Sequence, residues 1–452
     1  MRSFPAVLLL AASLCGAAEL SVDVRTDRPD AVYRSGEEIT VTARALEDGR
    51  PVSGLRVDYE LIADGGFSKK GKFTSDAEKP FVWKHTFKYP GALRAEFTVC
   101  DRNGKKVRLK NGYDQVRFAG GRIGAVADPE KIRPSVAAPE DFADFWKKEL
   151  AELEKEPCRE LERREVENLS ASAKKAVRLF DIRATGACGQ PVSGYLAMPR
   201  EAKARSLPAV LLLQGGGVHS ARIHTVVPWA RRGAICLEIN AHGLPNGEKP
   251  EFYSALRAGR LKHYAEKQLW YSREEHYFRG IALRVVRALE YLRSLPEWNG
   301  RDLVVRGASQ GGWQAVVGAA LDHKVTLCIA GVPAYGDFDA EFSPELRRMP
   351  RIHWGGRIRA LKCDMAKKRE LLKVQSYFDP VHFAPFVGCE TFMTVGYVDL
   401  SCPTTSVYSI YNSLPPTVKK HIDAFPGGVH AKCPTTAGDA ALAAVIEKAK
   451  KR

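Results

Sequence analysis

Two patterns of apolar residues divide the chain. Between residues 19 and 118, short runs rich in β-branched and aromatic residues recur at 22–24, 38–45, 55–62, 82–87, 93–99 and 114–118. Turn residues such as Arg34-Ser35-Gly36, Asp48-Gly49, Asp64-Gly65-Gly66 and Pro90-Gly91 separate them. Short strands at this spacing predict a small β-sandwich of immunoglobulin-like size. From residue 177 the pattern changes. Apolar runs at 177–183, 194–198, 209–213, 234–239, 303–305, 325–330, 391–395 and 418–424 alternate with helical stretches, the longest at 274–295. That alternation predicts an α/β domain, a mostly parallel sheet with helices on both faces. Residues 119–138, rich in glycine, proline and small side chains, read as a linker. Pro139-Glu140-Asp141 then opens a helix with Phe142, Phe145, Trp146 and Leu150 on one stripe, so the second domain is expected to span 139–452.

The first residues read differently. Arg2, an apolar stretch at 6–12 and the small residues Gly16-Ala17-Ala18 predict a secretory leader, 1–18, with the mature chain starting at Glu19. Leu14 argues against a lipid anchor at Cys15. Nothing downstream is apolar enough over sufficient length to span a bilayer, so a periplasmic or extracellular product is expected, without membrane insertion. Ten cysteines become nine without Cys15, an odd and scattered set that leaves room for at most one bridge among Cys363, Cys389, Cys402 and Cys433. The net charge of +16 is dispersed rather than blocked. With export expected and no recognition helix or RNA-binding signature, nucleic acid is excluded, and an acidic polysaccharide is the natural partner for such a surface.

Candidate chemistry centres on Gly307-Ala308-Ser309-Gln310-Gly311-Gly312, directly after Leu303-Val304-Val305 and before the helix-like 313–321. In a G-x-S-x-G turn between strand and helix, the serine is held on a sharp corner with its oxygen exposed. A serine hydroxyl needs a base, and the base needs an acid to hold its tautomer. In this class of fold the order is serine, acid, histidine. Asp399 follows the run 391–395, and His430 lies in Pro426-Gly427-Gly428-Val429-His430 beyond 418–424; both occupy strand-to-helix loops. Asp379, before a proline, reads as a turn residue, and His421 as part of a strand. The oxyanion donors are expected to be the amides of Gln310 and Gly216, the latter in Gln214-Gly215-Gly216-Gly217 after the apolar run 209–213. His242, His219 and Trp354 are candidate pocket-lining residues. His219 and His224 lack the i, i+4 spacing and the glutamate of a zinc hydrolase, so no metal and no cofactor are expected.

At these residues the chain resembles the acetyl xylan esterase and cephalosporin-C deacetylase family of α/β-hydrolases, carbohydrate esterase family seven. The resemblance runs from Pro139 onward and rests on Pro139-Glu140-Asp141-Phe142 with Phe145-Trp146, Tyr277-Phe278-Arg279-Gly280, Arg306 to Gly312, Tyr377-Phe378-Asp379, and Asp399-x-x-Cys402-Pro403. It implies Ser309 as nucleophile, Asp399 as acid, His430 as base, and removal of acetyl groups from sugar hydroxyls. Two departures stand out. The better-known members carry His-Gly-Tyr where this chain has Gln214-Gly215-Gly216, and Glu where it has Ala431. Two other readings remain open, a prolyl-oligopeptidase-type serine peptidase and a non-catalytic carbohydrate-binding protein on a hydrolase fold. The sandwich, about 100 residues, is too small for the propeller that gates the peptidase. It is expected to serve as scaffold, with Trp83 as the candidate centre of a carbohydrate surface. Oligomeric state, glycan and acyl group are left open.

Overall fold

A computed structural model describes residues 18–101, 103–113, 116–167, 169–265, 272–350 and 361–451. Residues 1–17 of the expected leader and Trp354 lie outside the described residues. No described helix is long and apolar enough to cross a membrane.

Two sheets make the N-terminal sandwich. Leu20–Thr26, Glu38–Glu47, Arg50–Pro51 and Phe81–Thr86 form one, and Val32–Tyr33, Arg56–Ala63, Phe67–Thr74, Gly91–Val99 and Gly120–Ala127 the other. Period-2 alternation points Ile39, Val41 and Ala43 from the first sheet and Val57, Leu61 and Ala63 from the second into a shared core. Trp83 is half-buried and stacks on Phe67 at 5.7 Å between ring centroids, so its ring packs against the sandwich core. Phe67–Thr74 escapes the sequence pattern because only Phe67, Gly71 and Phe73 face inward, while lysines cover its outer face at the sheet edge.

The first part of the stretch expected as a linker is a strand instead. Gly120–Ala127 pairs along its full length with Gly91–Val99. Its glycines reflect close packing on both faces rather than freedom. A Cβ on Gly121 would lie 2.0 Å from the Val22 carbonyl inside the sandwich, and one on Gly124 would lie 2.4 Å from the Tyr397 carbonyl of the second domain.

The second domain is built on nine strands, here β1 (Glu160–Glu165), β2 (Val177–Ala187), β3 (Gln190–Pro199), β4 (Leu207–Leu213), β5 (Ile235–Ile239), β6 (Trp298–Ala308), β7 (Leu327–Gly331), β8 (Glu390–Gly396) and β9 (Lys420–Phe425). Their order is β1-β2-β3-β5-β4-β6-β7-β8-β9. The first three run antiparallel to their neighbours and the rest are parallel. β4 and β5 are buried almost throughout, as strands covered on both faces must be, which explains their unbroken apolar sequence. β1 is exposed at every residue and reads Glu-Leu-Glu-Arg-Arg-Glu, a charged edge with no periodicity to find. From β4 the chain steps to β5 on one side and returns to β6 on the other. The crevice outside the carboxyl ends of β4 and β6 is therefore the topological switch point, where such sheets bind ligands.

The two domains share a core in which Val126, Ala92 and Leu93 of the sandwich join Tyr397, Val407 and Tyr408. Asp64, 3% exposed, receives hydrogen bonds from the amides of Ala92 (2.9 Å) and Met349 (2.6 Å) and an ion pair from Arg348 (3.0 Å). Burial raises its pKa, and Arg348 opposes that rise. Removing one partner of a buried pair strands the other's charge. Arg348→Met should lower unfolding free energy by about 3–5 kcal/mol in urea titrations. Adding Asp64→Leu should restore a large part of that loss.

Candidate active site

β6 ends at the elbow. Ser309 has φ 58° and ψ −123°, a conformation that L-residues avoid and that surrounding structure must impose. The imposition comes from backbone contact. A Cβ on Gly307 would lie 2.3 Å from the Gly311 carbonyl, and one on Gly311 would lie 2.2 Å from the Leu213 carbonyl at the end of β4. Glycine at both places lets helix Gln310–Leu321 start against the strand ends, and the Ser309 amide donates to Gly331 O of β7 (2.9 Å).

The glycine loop after β4 lies beside the elbow. A Cβ on Gly215 would be 3.9 Å from Ser309 Cβ, and one on Gly216 would be 3.5 Å from both Gln310 Oε1 and the Tyr264 hydroxyl. The loop is tied from below. Gln214 Nε2 donates to Glu238 Oε1 (2.7 Å) and Ser220 O (2.8 Å), while Gln214 O accepts from Gln314 Nε2 (2.9 Å). The Gly217 amide donates to Tyr264 Oη (3.0 Å), and that hydroxyl donates to Gln310 Oε1 (2.6 Å). Burial pushes the Tyr264 phenol up to about 12, so it stays protonated as this relay requires.

His242, expected to line the pocket, is only 2% exposed and sits beneath this loop. Its Nε2–H donates to Gly217 O (2.9 Å) and its Nδ1 accepts from the Tyr277 hydroxyl (2.7 Å), a tautomer set by the carbonyl, which can only accept. Burial holds the ring down to about 4, so it is neutral. His219 is half-buried, with Nδ1 3.2 Å from Ser220 O and its ring against Gly217. Tyr264 and Tyr277 were not singled out from sequence. Tyr277 stands in a quoted motif, whereas Tyr264 lies in a stretch without periodicity and had no signal.

The loops after β8 and β9 bring Asp399 and His430 together. His430 Nδ1 and Asp399 Oδ2 are 2.7 Å apart, and Asp399 Oδ1 accepts from the amides of Ser401 (2.7 Å) and Cys402 (3.0 Å). Asp399 is 3% exposed. The Tyr397 amide donates to Phe425 O (3.0 Å) and the Val398 amide to Gly428 O (3.2 Å), so the Asp399 loop and the His430 loop form one ladder. The His430 loop continues past β7, where a Cβ on Gly331 would meet Thr435 at 2.9 Å and Ala308 at 3.2 Å. Ligand atoms of Asp399, Cys402 and His430 gather within 4.8 Å of one another. The carboxylate oxygens of this trio are already engaged by the histidine and by two amides. His219 and His224 are not part of it. All nine described cysteines are free thiols.

The alternatives set aside from sequence lie elsewhere. Asp379 caps the short helix Pro380–Phe383, accepting from the amides of Val381, Asp337 and Phe338. Burial, reinforced by Asp337, pushes it up to about 7. His421 stacks on Phe392 at 4.4 Å and meets Glu390.

The sheet order, the elbow and the two loops define an α/β-hydrolase. The chain belongs to the acetyl xylan esterase (AXE1) family, whose model matches residues 127–446, and it is a hydrolase of carboxylic esters. It is 28% identical over 391 residues to acetyl esterase Axe7A of Xylanibacter ruminicola, a match covering 85% of this chain and 81% of that one. Among solved structures, the fold is similar to acetyl xylan esterase 1 of Thermoanaerobacterium sp. JW/SL YS485 (TM-score 0.59, 20% identity, 71% of this chain and 97% of that one). It is also similar to the acetyl xylan esterase of Paenibacillus sp. R4 (TM-score 0.57, 22% identity, 71% and 98%).

The buried histidine yields a signed pH dependence. His242 is neutral in the fold down to about 4 but takes a proton near its ordinary 6.5 once unfolded, so it withdraws stability as pH falls between those values. In His242→Gln the gap in unfolding free energy between pH 7 and pH 5 should shrink by about 2 kcal/mol. Urea titrations at the two pH values read that gap directly.

Proposed function

We propose that the protein is an exported serine esterase that removes acetyl groups from the sugar hydroxyls of plant-type polysaccharides or oligosaccharides, with Ser309, His430 and Asp399 as its triad. The observation that carries the reading is the 2.7 Å contact between His430 and Asp399, on the loops after β9 and β8, in a domain whose elbow serine has φ 58°. Asp399 holds the Nδ1 proton, which leaves Nε2 as the basic nitrogen. His430 takes the Ser309 proton as the oxygen attacks the acetyl carbonyl, then returns it to the departing sugar alcohol. Water enters by the same route and releases acetate.

The oxyanion is assigned to the amides of Gln310 and Gly216. Gln310 N opens a buried helix, and Gly217 N is committed to Tyr264, which favours the exposed Gly216 as the donor from the glycine loop. Two donors aimed at the developing charge, in a site that needs no reorganisation, supply much of the catalysis in such enzymes. Sugar esters as substrates follow from the family and from the relatives' names, and export from the leader-like first residues. His219 and Trp354 remain candidates for sugar contact.

Acetate release from acetylated xylan, acetylated xylo-oligosaccharides and 4-nitrophenyl acetate tests the reading. Ser309→Ala should reduce kcat by roughly 10⁴-fold or more on all three without lowering Tm, and Asp399→Asn by about 10⁴-fold through the wrong histidine tautomer. Serine-independent release would reject the triad, and turnover of the artificial ester alone would reject acetylated sugars as substrate. N-terminal sequencing of secreted protein should begin at Glu19.

A further inference from the structure

The strand Gly120–Ala127 does more than close the sandwich. One of its edges pairs with Gly91–Val99, and on the other Val32–Tyr33 pairs only with Val126 and Ala127. Where that short partner ends, the Gly124 amide donates instead to Pro426 O, at 2.8 Å. Pro426 opens the base loop. On the same residue, a Cβ would lie 2.4 Å from Tyr397 O and 2.6 Å from Tyr397 Cβ, in the acid loop two residues before Asp399. One residue of the sandwich thus touches both loops, and the contacts are backbone on backbone.

Neighbouring observations point the same way. A Cβ on Gly427 would lie 3.6 Å from Arg122 O, so the turn leading to His430 rests on the same strand. The Tyr397 ring is 1% exposed, shares the sandwich core and bonds Tyr408 across hydroxyls at 2.9 Å. Asp399 is among the charges felt by Arg94, which sits opposite Gly124 on the neighbouring strand. Asp399 and His430 hang from the two segments that Gly124 clamps.

We propose that Gly124 is a positioning residue for the ester-hydrolysing machinery, the point at which the sandwich sets the spacing between acid loop and base loop and so the Asp399–His430 hydrogen bond. Gly124 lies just before residue 127, where the match to the family model begins, so the brace comes from a strand that straddles that boundary. The proposal rests on the triad reading above. It requires glycine at 124 because any side chain would meet the Tyr397 backbone, which cannot swing aside as a side-chain tip can.

Gly121 provides the control. It lies three residues earlier on the same strand but faces the opposite way, its Cβ position 2.0 Å from Val22 O within the sandwich. Gly124→Ala should lower kcat for 4-nitrophenyl acetate by roughly 10- to 100-fold with KM within about twofold, since displacing an acid–base pair by a fraction of an ångström acts on the transition state. Its acid limb in the kcat–pH profile should move to lower pH, because a carboxylate drawn away from an imidazole no longer favours the charged ring. Gly121→Ala should lower Tm at least as much yet keep wild-type kcat and the wild-type limb per folded molecule. Wild-type values in folded Gly124→Ala, or an equal kcat loss in Gly121→Ala, would overturn the proposal.

Hydrogen exchange on the unmodified protein tests it without any variant. Peptides covering 120–127, 395–400 and 426–430 should open together at one free energy. Opening of 120–127 while the two loops stay protected would sink the brace. An active Ser309→Ala protein would remove the triad itself, whereas an inert one beside a fully active Gly124→Ala would remove only the brace.

Discussion

The contact on which the site depends is the approach of one backbone to another at the carboxyl ends of β4 and β6, where Gly311 lies against the Leu213 carbonyl and Gly307 against Gly311. No side chain fits there. That closeness starts the helix Gln310–Leu321 immediately after the elbow, drives Ser309 to positive φ, and brings the first turn of the helix beside the glycine loop. Strain of this kind, of order 1–3 kcal/mol, persists only where packing over-determines it. The helix supplies that packing, since every residue from Gln310 to Ala320 is buried.

A second set of backbone contacts arranges Asp399 and His430. Asp399 is held by two amides of its own loop, and that loop is laddered to the His430 loop through Tyr397 and Val398. The ladder is itself backed by the sandwich, through Val126, Ala92 and Leu93 around Tyr397 and through the Asp64–Arg348 pair farther along the interface. Interfaces between domains in one chain are usually polar and permit motion. This one has an apolar centre around a buried tyrosine pair, directly behind Asp399.

What could be read from sequence follows from what made each element. The buried parallel strands were legible because covering both faces leaves only apolar residues, and the elbow because its glycines obey a spacing imposed by contact. Asp399 and His430 were singled out by chain order and by their places just past two apolar runs, and their side chains lie 2.7 Å apart. Two edge strands were not legible. Glu160–Glu165 and Phe67–Thr74 carry charges that keep an edge from pairing with other chains, and those charges erase the alternation that marks a strand. Gly120–Ala127 was read as a linker because glycine signals both freedom and close packing, and only the partner backbone tells them apart. His242 was placed in the pocket by its loop, whereas the bonds at both ring nitrogens put it underneath.

The departure from the family pattern at Gly216 has a physical counterpart. The better-known members place a tyrosine at that position, and here the loop has no side chain to offer. The Tyr264 hydroxyl occupies the same neighbourhood, 3.5 Å from where the Gly216 Cβ would stand, and it bonds both the Gly217 amide and the Gln310 side chain. A second tyrosine, Tyr335, also donates to Gln310 Oε1, at 3.1 Å. The carboxamide next to Ser309 is thus oriented by two phenols from distant parts of the chain, and Tyr264 braces the loop from across the crevice instead of from within it. A glycine at 216 is tolerable for that reason. The rigidity that a local side chain would give the glycine loop is supplied by Tyr264, which accepts from the Gly217 amide, and by His242, which donates to the Gly217 carbonyl.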